Sequence, residues 1–391
     1  MSIRTRIAIV GAGPAGLLLG RILDTHGIDY VIVERKSLEY TLGRIRAGIL
    51  EQGSVELLER LGLGERLRRE GLEHRGIYLQ FAGERHHIDF EKLIGRTVTV
   101  YGQQEVVKDL SRAHQAAGTA IYYEAEDVAL DGIESERPRV TFRCRGEDVL
   151  IEADYVVGTD GFHGVCRPSI PDLEVYDREY PFAWLGVLAS VRPSTDELIY
   201  ALHADGFAMH SMRSMEVSRL YLQVPPDENI DDWPDDRIWE ALHRRLGVPG
   251  WTLDEGEITD KSITPMRSFV ASTMQHGRLF LAGDAAHIVP PTGAKGLNSA
   301  IADVAMLGEA IAAGYRGNPE PMSSYSRRAL SRQWKTQYFS RWMTAMLHRD
   351  DRGDSSEYDY LAQLGQLRYV VESEFAQCSL AEQYTGLPYG L

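Results

Sequence analysis

The stretch Ile7-Ala-Ile-Val-Gly-Ala-Gly-Pro-Ala-Gly16 decides the fold of this chain. Its first four residues form an apolar run that is typical of a strand buried on both faces. The glycines that follow stand in a G-x-G-x-x-G pattern, residues 17–24 have the apolar spacing of a helix, and a second apolar run over 30–33 ends at Glu34. The stretch therefore predicts a βαβ unit that binds a dinucleotide, with Glu34 at the adenosine ribose and the pyrophosphate at the helix N-terminus.

Composition excludes several classes of protein. The 391 residues carry a net charge of −15 without a long run of one sign, which argues against a nucleic-acid-binding protein. The three cysteines are too few for a disulfide framework, and no His or Cys spacing predicts a metal site. No apolar run reaches the ~18 residues of a membrane-spanning helix, and no signal-peptide pattern is present. We therefore expect a cytoplasmic protein with no metal, no membrane and no nucleic-acid partner.

Apolar periodicity predicts the remaining secondary structure only coarsely. The predicted elements are, in chain order, a helix over 47–71, strands over 75–101, a helix over 105–117, strands over 121–157, antiparallel strands over 180–224, a helix over 237–246, a strand over 279–282, helices over 298–315 and on to 348, and one last helix after a polar linker at 350–355.

Two further motifs indicate which dinucleotide binds. Gly158-Thr-Asp-Gly-Phe-His-Gly164 follows one buried strand, and Gly283-Asp284 follows another within Arg278-Leu-Phe-Leu-Ala-Gly-Asp-Ala-Ala-His287. Each alone could be an ordinary turn between a strand and a loop. They resemble the Asp-Gly and Gly-Asp motifs of flavoprotein aromatic hydroxylases, and together with the glycine-rich turn they indicate FAD rather than NAD.

The resemblance extends over nearly the whole chain, from Ile7 to Pro388. The stretches that carry it include Leu42-Gly-Arg-Ile-Arg-Ala-Gly48, Val98-Thr-Val-Tyr-Gly-Gln103, Pro290-Pro-Thr-Gly-Ala-Lys-Gly-Leu-Asn298 and Tyr384-Thr-Gly-Leu-Pro388. On these stretches the chain resembles the class A flavoprotein monooxygenases, and among them the members that hydroxylate 4-hydroxybenzoate.

The resemblance implies a fold and a division into domains. The fold class is α/β (α+β mixed), with a Rossmann-like FAD-binding domain, an antiparallel-sheet substrate domain and a C-terminal helical region. The expected boundaries are 1–75, 98–178 and 268–318 for the FAD-binding domain, 76–97 and 179–267 for the substrate domain, and 319–391 for the helical region. The family also implies a homodimer.

It implies a reaction as well. An FAD-dependent monooxygenase of this type uses NAD(P)H and O₂ to convert an aromatic carboxylate, 4-hydroxybenzoate, to 3,4-dihydroxybenzoate through a C4a-hydroperoxyflavin. Two alternatives stay open at this point. One is a sibling hydroxylase of another hydroxybenzoate, and the other is a non-catalytic flavin-binding redox sensor.

Residues carried over by motif are expected to bind FAD. Arg46, Gln103 and Asp284 are expected at its ribityl and phosphate groups, and the loop over 290–298 is expected to present backbone N–H groups to the flavin edge. The full set is Gly11, Gly13, Gly16, Glu34, Arg44, Arg46, Gln103, Asp160, Arg219, Asp284, Leu297 and Asn298.

Residues at strand spacing predict the substrate site. Ser211 and Arg213 are two apart and share a strand face, as do Arg219 and Tyr221. An arginine fork with hydroxyl groups suits a carboxylate, although the pattern alone favours an exposed charged strand. The resemblance assigns Ser211, Arg213 and Tyr221 to the substrate carboxylate and Arg219 to the flavin.

The resemblance also implies a proton relay from the substrate phenol. It runs from Tyr200 to Tyr384 and toward His74, and Pro291 borders the substrate. By themselves the two tyrosines would be ordinary half-buried aromatic residues. The relay has a chemical purpose, because a phenolate donates electrons to its ortho carbon far better than a phenol does.

No second dinucleotide motif is present, so NAD(P)H is expected to bind in a surface groove. The residues implied for it are Arg35, Tyr40, Arg44, His163 and Arg267. Their pattern favours NADPH, while Glu39 nearby leaves NADH open. Met209 and His210 depart from the familiar pattern near the substrate ring, which leaves the tolerance of substituted benzoates open.

Overall fold

The computed structural model describes residues 1–43, 48–350, 352 and 356–389. In this part of the chain the strands are β1 (Ser2–Arg4), β2 (Ile7–Val10), β3 (Tyr30–Val33), β4 (Ile49–Glu51), β5 (Leu72–His74), β6 (Gly76–Phe81), β7 (Glu84–Asp89), β8 (Val98–Val100), β9 (Ile121–Tyr122), β10 (Glu126–Asp131), β11 (Arg139–Cys144), β12 (Glu147–Glu152), β13 (Tyr155–Gly158), β14 (Val175–Ser190), β15 (Ile199–His203), β16 (Gly206–Met212), β17 (Ser218–Val224), β18 (Glu257–Ala271), β19 (Gln275–His276), β20 (Leu279–Leu281) and β21 (His287–Ile288). The α-helices are α1 (Pro14–Thr25), α2 (Leu38–Gly43), α3 (Gln52–Arg60), α4 (Gly64–Glu70), α5 (Phe90–Ile94), α6 (Gln103–Ala117), α7 (Asp235–Leu246), α8 (Gly296–Tyr315), α9 (Glu320–Ser323), α10 (Tyr325–Leu347), α11 (Ser356–Glu372) and α12 (Glu374–Thr385).

The βαβ unit predicted from the opening stretch lies in a six-stranded sheet of order β19-β20-β13-β2-β3-β9. All four residues of β2 are buried, and the pairs of β2 with β3 and with β13 are parallel. Helix α1 begins with Pro14 in its first turn, where the missing N–H costs no hydrogen bond. Helix α8 is buried on nearly all sides because it packs against α1 within the core.

Two smaller sheets surround this unit. Strands β1-β12-β11-β10 form one, and β4-β8-β5 form the other. The β4–β8 pairing brings Ile49 opposite Val100, which places Gly48 against the backbone of Tyr101 and Gly102. The start of α6 is thereby held against the residue that precedes β4.

The second large sheet has eight strands in the order β21-β18-β14-β17-β16-β15-β6-β7. Its pairs are antiparallel except for β15 with β6, which is parallel. One face packs against the C-terminal helices through residues such as Phe339, Met343 and Tyr384. The other face packs against α7 through Ile238 and Leu242. The α/β fold class predicted from sequence is therefore confirmed, while the predicted domain boundaries stay a prediction.

The predicted helix over 47–71 is wrong. The chain there forms strand β4 and then two helices, α3 and α4, separated at Leu61–Leu63. Gly62 adopts φ = +77°, which a helix interior does not allow, and so ends the first helix. Ile49 and Leu50 are apolar neighbours that suit a short strand as well as a helix, which periodicity alone cannot distinguish.

Two other elements differ from expectation. The last helix is in fact a pair, α11 and α12, because the Ser373 side chain accepts a hydrogen bond from the N–H of Ala376 and caps a new helix. Strand β18 was missed entirely, since its first half alternates polar residues that pair with β14.

Candidate active site

The glycine-rich turn after β2 contains positions that have no room for a side chain. Gly11 has φ = +110°, and a Cβ there would overlap the carbonyl oxygen of Thr159. A Cβ on Gly16 would overlap the carbonyl oxygen of Gly11. A Cβ on Gly13, the N-cap of α1, would meet no described atom within 4 Å. The turn therefore leaves open space at a helix N-terminus, which fits a pyrophosphate.

Glu34 is held at the end of β3 in a position that suits a ribose. Its Oε2 accepts a hydrogen bond of 2.7 Å from the N–H of Ala12, and its Oε1 accepts one of 2.8 Å from the N–H of Lys36. A carboxylate has about four lone-pair sites, so it can still accept hydrogen bonds from ribose hydroxyls. The predicted role of Glu34 at the adenosine ribose is compatible with this placement and stays a prediction.

The Gly283-Asp284 turn presents a carboxylate to solvent at the carboxyl end of β20. Gly283 has φ = +64°, and the Asp284 side chain is exposed. An exposed carboxylate beside the glycine-rich turn can accept hydrogen bonds from the hydroxyls of a ribityl chain. The predicted role of Asp284 is compatible with this placement.

A buried pair that sequence reasoning missed supports this turn. Asp303 of α8 accepts a hydrogen bond of 2.9 Å from the N–H of Gly283, and the same oxygen lies 2.6 Å from Nε2 of His287. Both side chains are almost fully buried. One sequence signal could have revealed this pair. Asp303 is an acidic residue within an otherwise apolar helical run, and such a residue needs a partner when it is buried.

The loop over 290–298 leads into the N-terminus of α8. Its first proline is buried, whereas Pro291 is exposed and starts a short 3₁₀ turn over Pro291–Gly293. The carbonyl oxygen of Pro291 accepts a hydrogen bond of 2.9 Å from the N–H of Ala294. Leu297 lies in the first turn of α8, where backbone N–H groups lack partners within the helix. These donors can meet an electron-rich ligand edge.

The side chain of Asn298 is bonded within the protein, while its predicted contact with FAD stays a prediction. Its Oδ1 accepts hydrogen bonds from the N–H of Glu51 at 2.9 Å and from Oγ of Ser54 at 2.8 Å. Its Nδ2 donates to the carbonyl oxygens of Ile49 and Ala294. Only the backbone of Asn298 is left for a cofactor, so the side chain joins this loop to β4 and α3.

Of the two predicted FAD residues Asp160 and Gln103, the first points into its own loop and the second begins a helix. Asp160 Oδ2 accepts a hydrogen bond of 2.9 Å from the N–H of Cys166, and its carboxyl group lies against Gly164, so it points into its own loop. Burial raises the pKa of Asp160. Gln103 starts α6 beside Gly48. Asp160 therefore shapes the turn, and the predicted residues Arg44 and Arg46 lie outside the described residues.

One face of the eight-stranded sheet gathers the predicted substrate residues. Tyr200 pairs with Met209 across β15 and β16, and Met209 pairs with Tyr221 across β16 and β17. Ser211 pairs with Arg219 on the same face, because directly opposed residues point to the same side. Tyr221 in turn lies over Gly186 of β14, where a Cβ would be 3.1 Å from the ring.

The substrate-face residues Tyr200, Met209, Tyr221, Ser211 and Arg219 form a row across the sheet. Two arginines lie at one end of this row. Arg213 directly follows β16, and its Nη1 is 2.7 Å from where a Cβ on Gly102 would stand, so the glycine makes room for it. Burial and the charge of Arg219 lower the pKa of Arg213. Arg219 Cζ lies 5.2 Å from the centre of the Tyr221 ring. Two neighbouring cations with hydroxyl groups beside them make a suitable site for a carboxylate.

At the other end of the row, Tyr200 and Tyr384 meet. Their hydroxyl oxygens are 2.7 Å apart, and both side chains are buried. Burial raises the pKa of both phenols. His74, at the end of β5, is also buried, and burial lowers its pKa to about 4. The structure thus joins Tyr200 to Tyr384, whereas no hydrogen bond joins His74 to either tyrosine in the described part of the chain.

Met209 and His210 lie on opposite faces of β16. Met209 stands between Tyr200 and Tyr221 on the substrate side. His210 faces the other way, and its Nε2 accepts a hydrogen bond of 3.1 Å from the N–H of Ser194. The expectation that both residues border the ring is therefore wrong for His210, because neighbouring strand residues alternate between faces.

A second buried network was also missed by sequence reasoning. Lys295 Nζ lies 2.5 Å from Oε1 of Glu51 and donates a hydrogen bond of 3.0 Å to the carbonyl oxygen of Tyr384. Arg332 Nη2 is 3.4 Å from the other oxygen of Glu51. The network ties the flavin loop, β4 and the end of α12 together, and no motif spacing could reveal it.

Three of the residues predicted for NAD(P)H, Arg35, His163 and Arg267, lie near one another. Arg35 Nη1 donates to the carbonyl oxygen of His163 at 3.4 Å. Arg267 Cζ lies 4.8 Å from the ring centre of Phe162, next to His163, while its guanidinium is paired with Asp177. Tyr40 is exposed on α2. Arg44 lies outside the described residues.

Two kinds of feature are absent from the described part of the chain. Among the described residues, no group of three or more His, Cys, Asp or Glu side chains is placed to hold a metal ion. No helix of the described chain is long and apolar enough to cross a membrane.

Comparison with known proteins agrees with this arrangement. The sequence pattern of the family described as "FAD binding domain" matches residues 4–340. The chain is 48% identical over 393 residues to the p-hydroxybenzoate hydroxylase of Acinetobacter baylyi (strain ATCC 33305 / BD413 / ADP1), covering 99% of this chain and 96% of that protein. It is 26% identical over 374 residues to the 3-amino-4-hydroxybenzoate 2-monooxygenase of Streptomyces cremeus, covering 90% of each.

Solved structures share the fold. The p-nitrophenol 4-monooxygenase PnpA from Pseudomonas putida DLL-E4 superposes with a TM-score of 0.81 at 17% identity, over 98% of this chain and 99% of that one. Together with these matches, the fold and the two turns that suit FAD define the chain as a flavin-dependent aromatic hydroxylase. The chain belongs to the FAD binding domain family, in the same group of flavoprotein hydroxylases as p-hydroxybenzoate hydroxylase. It is an FAD-dependent monooxygenase, as its sequence predicted.

Proposed function

We propose that this enzyme hydroxylates 4-hydroxybenzoate at C3, giving 3,4-dihydroxybenzoate with NADPH and O₂. The observation that carries the proposal is the row on the substrate face of the sheet. Two arginines and hydroxyl groups lie at one end, and the Tyr200–Tyr384 pair lies at the other. A ring with a carboxylate and a phenol in para positions has its polar groups at opposite ends, as this row requires.

Each end of the row has a task in the proposal. Arg213, Ser211 and Tyr221 bind the carboxylate, and Pro291 borders the ring. Tyr200 accepts the phenol proton as its own hydroxyl proton passes to Tyr384, so that the substrate reacts as the more electron-rich phenolate. His74 is the proposed onward acceptor, and because burial lowers its pKa to about 4, its ring is neutral at pH 7 and holds an added proton only weakly.

FAD, when bound, supplies the transfer of electrons from NADPH and the activation of O₂. The chain holds it through the glycine-rich turn, Glu34, Asp284 and the N-terminus of α8. The apolar residues of the C-terminal helices cover the substrate face and keep water from the reaction. In the proposal, NADPH binds transiently over Arg35, Tyr40, His163 and Arg267, and the supply of this cofactor favours a cytoplasmic location.

We also propose a homodimer formed through the C-terminal helices. Tyr358, Leu361, Tyr369 and Phe375 are more than half exposed there, and Phe375 is 88% exposed. Large apolar side chains grouped on one surface are typical of protein interfaces.

One assay tests the reaction. Oxidation of NADPH and of NADH is followed with and without 4-hydroxybenzoate, while 3,4-dihydroxybenzoate and H₂O₂ are both measured. We expect 4-hydroxybenzoate to stimulate NADPH oxidation more than NADH oxidation, with product matching the NADPH consumed. The absence of stimulation would contradict the proposal, and stimulation that releases only H₂O₂ would make 4-hydroxybenzoate an effector instead of a substrate.

A further inference from the structure

A cavity lies at the end of the six-stranded sheet that is opposite to the FAD site. Its volume of about 390 Å³ falls within the roughly 300–1,000 Å³ of small-molecule sites. It is bordered by the start of β13, by Arg278 just before β20 and by the C-terminal end of α8. The glycine-rich turn and Asp284 follow the carboxyl ends of the same strands, about one strand length (~13 Å) away. The cavity is therefore separate from the active site.

Two arginines in this cavity have no acidic partner among the described residues. Arg278 Cζ lies 4.7 Å from the ring centre of Tyr155, and Arg137 projects from the turn between β10 and β11. An arginine stacked on an aromatic ring keeps the N–H donors at its edge available for an anion. The cavity thus holds positive charge in a chain whose net charge is −15.

The acidic residues of the cavity only partly balance that charge. Asp154 is occupied, because it pairs with Arg4 and accepts a hydrogen bond of 2.7 Å from the hydroxyl of Tyr315. Glu136 is exposed and lies next to Arg137 in the same turn. One free carboxylate therefore faces two free guanidinium groups.

The rest of the lining includes two tyrosine rings, those of Tyr155 and Tyr315, and little exposed aliphatic surface. Ile311 and Met322 are buried side chains that border the cavity, and Tyr315 is 37% exposed beside them. Arg6 Cζ lies 5.0 Å from the ring centre of Tyr315 and adds positive charge at the edge. Tyrosine rings in the same lining as two arginines suit a molecule with one anionic end and one aromatic end.

We propose that this cavity is a second binding site, which takes a small carboxylate with an aromatic body. The carboxylate lies between Arg137 and Arg278, and the ring packs against the exposed ring of Tyr315. This site goes beyond the proposed function, since no residue of the active site contributes to it.

Calorimetric titration of the FAD-loaded protein with 4-hydroxybenzoate counts every site, whereas the flavin absorbance responds only to the active site. We expect calorimetry to count two sites per chain in the wild type. The Arg137→Ala/Arg278→Ala variant should lose one site while its flavin-absorbance titration stays unchanged. Arg341→Ala, which removes an exposed arginine from α10, serves as the matched control and should keep both sites.

One further variant and two further ligands complete the test. Arg213→Ala should keep the cavity site even if the active site no longer binds, so failure of the proposed function leaves this result readable. The neutral 4-hydroxybenzamide should not bind in the cavity, and inorganic phosphate should not displace 4-hydroxybenzoate from it. A single site in the wild type, or a count that Arg137→Ala/Arg278→Ala does not change, would overturn the proposal. Displacement by phosphate at equal concentration would overturn the role of the Tyr315 ring.

Discussion

At the scale of single residues, the Tyr200–Tyr384 pair makes the most direct prediction. Replacing either tyrosine by Phe removes one hydroxyl from a contact of 2.7 Å between buried groups. We expect Tyr200→Phe to slow hydroxylation by about 10²-fold or more, because a positioned proton acceptor is lost. FAD should stay bound. Product formation with NADPH and the FAD content of the purified variant measure the two effects.

The same pair predicts a non-additive effect on stability. Each single Phe variant leaves the other hydroxyl buried without its partner, at a cost of about 1–3 kcal/mol, whereas the double variant removes both groups and should recover most of that loss. Urea unfolding measures it. Tyr180→Phe is the control, because Tyr180 also has a hydroxyl partner, Ser268 at 3.0 Å, but lies outside the relay. Loss of FAD from Tyr200→Phe would show that the tyrosine is structural.

Single residues also show what the sequence could and could not predict. Glu34 stands where the G-x-G-x-x-G context placed it, because backbone geometry there leaves few alternatives. The motif did not reveal that the Asn298 side chain turns into the protein, since Glu51, Ser54 and Ile49 come from a distant segment. His210, by contrast, could have been assigned correctly, because strand alternation already puts it opposite Met209.

At the scale of elements, the Glu51 network joins β4, the flavin loop and α12. Glu51 contacts two cations, Lys295 at 2.5 Å and Arg332 at 3.4 Å, and all three side chains are buried. Burial lowers the pKa of Lys295, and the charge of Glu51 opposes that shift. Loss of one partner leaves an uncompensated buried charge, which typically costs ~3–5 kcal/mol.

The number of partners predicts which substitution is worse. Glu51→Gln leaves two buried cations unpaired, so we expect it to lower the free energy of unfolding more than Lys295→Met, which leaves Glu51 with Arg332. Urea unfolding at neutral pH gives both values. Glu240→Gln, in the exposed pair of Glu240 with Arg244, should change stability by less than about 1 kcal/mol. A larger loss from Lys295→Met than from Glu51→Gln would contradict this account.

Elements were predicted well where one signal dominated and poorly where two competed. Strand β2, helix α1 and strand β3 follow from an apolar run, glycines and a second apolar run. Residues 47–71 carry helical spacing, yet the pairing of β4 with β8 outweighs it at the start of the segment. That pairing is a tertiary contact, and a local pattern does not contain it.

At the scale of the whole molecule, motifs predicted the fold class and the cofactor, but not how distant segments meet. The C-terminal helices cover the substrate face, and Tyr384 thereby reaches Tyr200 across much of the chain. In the same way, the net charge of the chain was a poor guide to the charge of its ligands. The positive charge that anionic ligands need is concentrated locally, at Arg213 and Arg219 in the active site and at Arg278 in the second cavity.

Three buried histidines make the whole fold sensitive to acid. Burial lowers the pKa of His74 and His210 to about 4 and that of His348 to about 3, from an ordinary value of 6.5. His348 Nε2 accepts a hydrogen bond of 2.7 Å from the indole N–H of Trp184, and this requires a neutral ring. Between pH 6.5 and about 4 the unfolded chain therefore binds more protons than the folded one, so stability is fully present above pH 6.5 and falls as the pH is lowered.

The size of this effect can be tested with a residue that does not titrate. Between about pH 7.5 and about pH 5, each buried histidine should cost roughly 2 kcal/mol of unfolding free energy. His74→Gln and His348→Gln should each reduce the difference in unfolding free energy between those two pH values by about that amount, even if the variants are less stable at both. His163→Gln is the control, because the ring of His163 is exposed in the folded chain. If the His74 and His348 variants keep the pH dependence of the wild type, their rings are not what makes the fold sensitive to acid.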